Sequence, residues 1–412
     1  MCIRDRGGGA VSAGGGVAGT RVVEALYEAP YLAHACMEPM NCTAWVKGES
    51  VDVWVGTQAQ GPTQGILAQV AGVKPEQVTV HELLLGGGFG RRFAPDFTVD
   101  ATLLSKQSGR PVKLIYSRED DMAAGFYRPA AAARFSAALD ENGQPTALKV
   151  GISAASITVG TGFGKLPDNG VDAQAVEGIA DQPYDIANQH IAYGRREPGP
   201  QVWFWRSVGS SQNSFFVESF IDELAAAANK DPFEYRRALL TQQPRCKGVL
   251  EAAAEKAGWG QPKPAGRFRG IALAMSFGSY VAEVAEVSVS DDGSVKIHRI
   301  VAAVDCGMIV NPEIIRRQIE GAIVYGLSAA LYGKITFKDG RVEQGNFNDY
   351  PILRMSEMPV VEVHILSSTE APGGIGEPGT PPIAPALTNA IFAATGKRLR
   401  SLPIDTALLK KA

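Results

Sequence analysis

The sequence predicts a mixed α/β protein of two domains, on three observations: its length, alternating runs that meet at hairpin signals, and longer stretches with helical spacing. A chain of 412 residues, 45% hydrophobic and 20% charged, has room for two cores. Asn142-Gly143, Asp292-Gly293 and Asp339-Gly340 each read as the turn of a hairpin. Segments such as 214–229 and 312–331 repeat apolar residues every three or four positions, as helices do. A net charge of −3 shows no basic excess for nucleic acid, and no apolar run reaches the length of a membrane span. Five cysteines (Cys2, Cys36, Cys42, Cys246 and Cys306) are scattered without a C-x-x-C pair. That spacing argues against an iron–sulfur cluster or a structural zinc site in this chain.

Residues 1–20 have no hydrophobic periodicity and are expected to be a disordered lead-in, its first six residues a candidate artefact. The GxGxxG pattern of Gly14, Gly16 and Gly19 lacks a preceding strand and is discounted as a dinucleotide site. A strand over 22–27 leads to a compact loop over 33–43, where His34 and Glu38 are read as loop-stabilising rather than as metal ligands. A strand over 51–55 delivers Gly56, Thr57 and Gln58, whose neutral amide can donate without adding charge. After a short helix over 66–71, a strand over 78–85 runs into Gly86-Gly87-Gly88-Phe89-Gly90-Arg91-Arg92. Consecutive N–H groups there form an anion-binding nest, and the two arginines suit a phosphate or pyrophosphate.

A helix over 95–107 ends at Gly109, and 112–116 reads as a buried strand. The stretch 156–200 is rich in Gly, Pro, Asp and Gln and reads as long loops over a substrate pocket. An aromatic strand then carries Arg206 and Gln212 to the 214–229 helix. Residues 262–266 form the candidate linker, and strands over 282–290 and 295–304 follow. Asn311-Pro312 starts a helix whose core stripe is Ile315, Ile319, Ile323, Leu327 and Ala330, with Gln318 on a second stripe in need of a polar partner. Finally, residues 371–385 set one acid, Glu377, among glycines and prolines, beside Gly376 and ahead of a buried helix over 383–395 closed by Gly396. A rigid loop holding one carboxylate suits an active-site base.

Together, Gly56-Thr57-Gln58, the GGGFGRR loop, residues 206–212, 311–326 and 374–379 resemble the molybdenum-binding large subunits of the xanthine dehydrogenase and aldehyde oxidase family, and among them the isoquinoline 1-oxidoreductase branch. The resemblance implies two molybdopterin-binding domains, 21–264 and 265–412, with the site in the cleft between them. It implies that Glu377 takes a proton from the attacking water-derived hydroxyl. Gln58, Gly87, Gly88, Phe89, Gly90, Arg91, Arg206, Gln212, Gln318 and Gly376 would border the cofactor, with molybdenum held through the pterin, in the cytosine dinucleotide form. A separate [2Fe–2S] subunit would accept the electrons, with a cytochrome c as a further acceptor. Phe93 stands where purine-oxidising relatives carry a glutamate, so the expected substrate is an aldehyde or an N-heteroaromatic compound. Related large subunits extend upstream of Arg21, supplying further cofactor contacts and a secretion signal; the rival expectation is thus a non-catalytic cofactor-binding fragment or assembly protein.

Overall fold

The computed structural model describes residues 2–6, 21–162, 164–197 and 199–411. Five strands make one sheet, in the order Cys2–Arg6, Asn188–Arg195, Pro145–Ala154, Ala131–Leu139, Arg21–Ala29. The hairpin expected at Asn142-Gly143 joins Ala131–Leu139 to Pro145–Ala154, with Gly143 at φ +73°. Two expectations are corrected here. Cys2–Arg6 is a strand, pairing antiparallel with an edge whose backbone groups would otherwise go unpaired. Residues 7–20, including the Gly14, Gly16 and Gly19 pattern, lie outside the described residues. Asn188–Arg195 is likewise a strand within the stretch read as loops; its inward side chains are Gln189, Ile191 and Tyr193, and the buried amide hides the apolar alternation.

A second sheet runs Phe268–Ser276, Ser279–Val289, Val295–Asp305, Val360–Ile365, the last two parallel and the others antiparallel. Helices cover both its faces. A Cβ on Gly270 would stand 2.1 Å from the Ala390 nitrogen of the Ile383–Thr395 helix. On the opposite face, Arg269 and Arg299 donate to the Gly258 and Lys256 carbonyls at the end of the Pro244–Ala257 helix. Strands covered on both sides carry near-continuous apolar runs, so alternation does not reveal Phe268–Ser276.

Between the two sheets lies the Ser210–Ala227 helix, packed against Arg21–Ala29, Ala131–Leu139, Phe268–Ser276 and Ile383–Thr395. Its expected stripe of Phe216, Phe220 and Leu224 is buried, and so is nearly every other side chain of the helix. Its buried acids are paired inside the protein. Glu218 accepts from Arg236 Nε at 2.8 Å, Asp222 from Arg398 at 2.6 Å and Glu223 from Arg400 Nε at 2.8 Å.

A smaller two-layer unit holds the first candidate loops. Its sheet runs Val78–Glu82, Ser50–Val55, Asn41–Lys47, Val112–Ile115, with the Gln60–Ala71 and Asp96–Ser108 helices over a separate core of Met40, Val53, Val55, Leu67, Phe97 and Ala101. Val112–Ile115 is an edge strand with Ile115 60% exposed, which corrects the reading of a fully buried strand, because only one face of this sheet is covered.

Candidate active site

Two parallel strand pairs position the loops. Ser50–Val55 and Val78–Glu82 run side by side in the same direction, joined through the Gln60–Ala71 helix. Gly56-Thr57-Gln58 and the glycine loop therefore leave the sheet at the same end, the carboxyl ends of parallel strands where α/β proteins build sites. In the second sheet, Val295–Asp305 and Val360–Ile365 do the same for the loop carrying Glu377. That loop lies tight on backbone: Gly373 N–H donates to Cys306 O at 2.9 Å and Gly374 N–H to Phe277 O at 2.7 Å. A Cβ on Gly307 would stand 2.0 Å from Ala371 O.

In the first unit, Gln58 Oε1 accepts from Gly90 N–H at 3.1 Å, which leaves the amide nitrogen as the end free to donate. A Cβ on Gly88 would lie 2.5 Å from that same Gln58 oxygen. Gly87, Phe89 and Gly90 all have positive φ, at +97°, +55° and +100°. Among the described residues, nothing accepts from the amides of Gly87, Gly88 and Phe89. Three of the nest's donors are thus left unpaired.

The segment from Phe204 to Gly209 brings the two loops together. A Cβ on Gly90 would stand 1.9 Å from Phe204 O, so the glycine loop touches this segment directly. Arg206 Nε donates to Gly376 O at 2.9 Å, and its NH2 reaches Gln318 Oε1 at 3.1 Å. Ser207 N–H donates to Glu377 Oε1 at 3.1 Å, while Ser207 Oγ donates to the Glu377 carbonyl at 2.8 Å. Ser207 and Val208 hold positive φ, +72° and +48°, conformations that non-glycine residues adopt at a cost of about 1–3 kcal/mol each. Burial raises the Glu377 carboxyl above its ordinary range, opposed by the Ser207 N–H and the Arg206 charge.

Gln58, Gly87, Gly88, Phe89, Gly90, Arg206, Gln318, Gly376 and Glu377 are thus brought together by direct contacts. The two arginines after the nest are not available to a phosphate. Arg91 is buried and forks onto Asp96 at 2.8 and 2.7 Å, with Asp121 at 3.2 Å. Arg92 is fully buried and donates to Gly87 O, Gly56 O, Glu38 O and Glu38 Oε2. Both are corrected to fasteners of the loop, since a buried guanidinium needs every donor matched. Gln212 is buried in the first turn of its helix, where Oε1 accepts from Ser211 Oγ at 2.8 Å and Nε2 has no partner among the described residues. Phe93 sits edge-on to Phe204, ring centroids 5.6 Å apart. His34 and Glu38 serve the loop as expected, His34 Nε2–H on Phe204 O at 2.6 Å and Glu38 on Arg92 at 2.7 Å.

The sequence gives no motif for two further features. Phe89, Tyr325 and Trp205 form a continuous stack, at 4.3 and 4.7 Å, over a cavity of about 270 Å³ that Tyr350 and Leu353 also line. Glu177 lies beside the segment that grips Glu377, its Oε1 accepting from Gly209 N–H at 2.7 Å. Both features are assembled from positions far apart in the chain.

The chain has relatives among known proteins. Residues 7–240 and 221–359 each match the model of a molybdopterin cofactor-binding domain. The chain belongs to that family, the xanthine dehydrogenase and aldehyde oxidase group that its loops resemble. It is 34% identical to the isoquinoline 1-oxidoreductase subunit beta of Brevundimonas diminuta, over 93% of this chain and 49% of that protein. It is 33% identical to the membrane-bound aldehyde dehydrogenase [pyrroloquinoline-quinone] of Gluconacetobacter polyoxogenes, over 94% of this chain and 53% of that one. In fold it is similar to quinoline 2-oxidoreductase from Pseudomonas putida 86, with a TM-score of 0.80 at 13% identity, over 94% of this chain and 75% of that one. The chain spans about half the length of the curated relatives it matches.

Proposed function

We propose that this protein is the catalytic part of a molybdenum hydroxylase that oxidises an aldehyde or N-heteroaromatic C–H bond with water as the oxygen source. The observation that carries the reading is the meeting of a half-buried carboxylate, Glu377, with a nest of unpaired N–H donors across the Arg206–Ser207 turn. The residues present fit the family's cofactor: Gln58 offers an uncharged donor, and the amides of Gly87, Gly88 and Phe89 have no acceptor among the described residues. When bound, the molybdenum–molybdopterin group supplies the redox chemistry of hydroxylation.

The chain's own residues do the rest. The Gln58 amide nitrogen and the amides of Gly88 and Phe89 would orient the group by hydrogen bonds, with Gly90 N–H holding Gln58 in place and the Arg206–Gln318 pair bracing the loop of Gly376. Glu377, held by the Ser207 N–H, accepts the proton released as the water-derived oxygen attacks carbon. Burial, which raises its carboxyl, makes it a stronger base once ionised. The apolar surface of Phe93, Phe204, Phe89 and Tyr325 suits a flat, weakly polar substrate in place of a purine. The domains are taken as 21–264 and 265–412, the cofactor as the cytosine dinucleotide form, and the electron acceptors as a [2Fe–2S] subunit with a cytochrome c beyond it.

Glu377→Gln in molybdenum-loaded protein is expected to lower turnover of aldehydes or N-heteroaromatics by about a hundred- to ten-thousand-fold at unchanged metal content. Turnover in the unsubstituted protein should also fall as pH drops through the Glu377 titration, because the protonated acid accepts nothing. Undiminished hydroxylation by loaded Glu377→Gln protein would remove Glu377 from this role.

A further inference from the structure

We propose that Glu177 is a positioning residue for Glu377, a second carboxylate that holds the turn gripping the base. Glu177 follows the short Ala173–Val176 helix, and its Oε1 accepts from Gly209 N–H at 2.7 Å and Ser210 N–H at 3.3 Å, the opening amides of the Ser210–Ala227 helix. Those amides carry the positive end of an 18-residue helix dipole, which favours a carboxylate there. The contact fixes the end of Arg206-Ser207-Val208-Gly209, two residues of which hold strained positive φ. A turn of that kind persists only when its surroundings over-determine it. From the other side, Asn213 Nδ2 donates to the Glu177 carbonyl at 2.8 Å, and a Cβ on Gly209 would stand 2.1 Å from Gln174 O. The end of the Ala173–Val176 helix and the turn are therefore fitted backbone to backbone.

The same turn supplies the Ser207 N–H and Arg206 guanidinium that bind the Glu377 loop. Glu177 thus stands one turn of chain from the base, and the two carboxylates repel. Burial pushes the Glu177 carboxyl up to about 7, aided by the charges of Asp181 and Glu377 and opposed by the two amide N–H groups. Glu377 has the Arg206 charge and the Ser207 N–H facing it. The Glu377 charge is one of the causes that raise Glu177, so removing it should lower Glu177. The inference rests on Glu377 being the base, but the coupling between the two acids is measurable without turnover.

Glutamate carboxyl carbons labelled with ¹³C in the full chain test that coupling, the signals being assigned by their loss in Glu177→Gln and Glu377→Gln. The Glu177 signal should titrate near 7 in the unsubstituted protein and at lower pH in Glu377→Gln. In loaded protein, Glu177→Ala should lower kcat about a hundredfold, the scale of a misplaced reacting group. Glu177→Gln, which keeps an acceptor oxygen, should recover most of that rate while losing any inflection near pH 7. A Glu177 signal that titrates identically in Glu377→Gln overturns the coupling; wild-type kcat in Glu177→Ala overturns the positioning. If Glu377→Gln proves active, the hydroxylase reading of Glu377 fails on its own while the titration result still stands. Should Glu177→Ala fail to fold, the titration and Glu177→Gln decide the matter.

Discussion

Gly90 combines φ +100° with a position where a Cβ would stand 1.9 Å from the Phe204 carbonyl oxygen. Gly90→Ala should therefore cost roughly 3 kcal/mol or more in urea unfolding, as strain and collision add. A cost below about 1 kcal/mol would show that the glycine loop and the Phe204 segment are not pressed together. At this scale the sequence was legible where chemistry was isolated. Glu377 stands alone among glycines and prolines and Gln58 ends a clear strand, yet each by itself also reads as a turn residue, and it is the set of five loops taken together that singles them out. Arg91 and Arg92 were misleading for the opposite reason. Their partners Asp96, Asp121 and Glu38 are ordinary surface-type residues in the text, and only folding brings them onto the guanidinium groups. Glu177 is invisible because its partners are backbone amides of residues 209 and 210.

Among elements, the Ser210–Ala227 helix bears most on the site, since its first turn continues directly from Arg206–Gly209. Arg236, fully buried on the Pro232–Ala238 helix, fastens it through Glu218 at 2.8 Å and Asp222 at 3.3 Å. Arg236→Ala would leave buried Glu218 without its cation and Asp222 with Arg398 alone. It should destabilise by about 3–5 kcal/mol, against near neutrality if the network were solvated. Denaturant titration of the variant checks this. Helix ends were well marked in the sequence, by Asn311 as a cap accepting from Glu313 and Ile314 N–H and by Gly109 and Gly396 in the left-handed conformation. In the doubly covered sheet, Ser279–Val289 and Val295–Asp305 were marked by the Asp292-Gly293 turn between them, whereas Phe268–Ser276 lacks the alternation that announces a strand.

Across the whole molecule, one apolar core runs through both large sheets and the helices between them, with Glu283 embedded in it. Glu283 pairs across the sheet with Ala272 and Ala302, and neither of its oxygens has a hydrogen-bond partner among the described residues. Burial holds its carboxyl well above the usual range, so the folded protein keeps a proton that the unfolded chain releases. Stability from this group is complete below the unfolded value of about 4.3 and falls as pH rises, by about 1.4 kcal/mol per pH unit while the folded form stays protonated. Glu283→Gln should remove that slope, so its stability relative to the unsubstituted protein should improve steadily as pH rises above about 5 in urea unfolding. A constant difference across that range would mean that Glu283 is ionised in the fold. The claim on which the rest depends is that loops from the first and last thirds of the chain enclose one metal-bearing group. Anomalous diffraction at the molybdenum edge from crystals of loaded protein locates it directly. The account predicts a single strong peak between the Gln58 amide, the Phe89–Gly90 backbone and the Glu377 carboxylate; a molybdenum peak remote from Glu377 would contradict it.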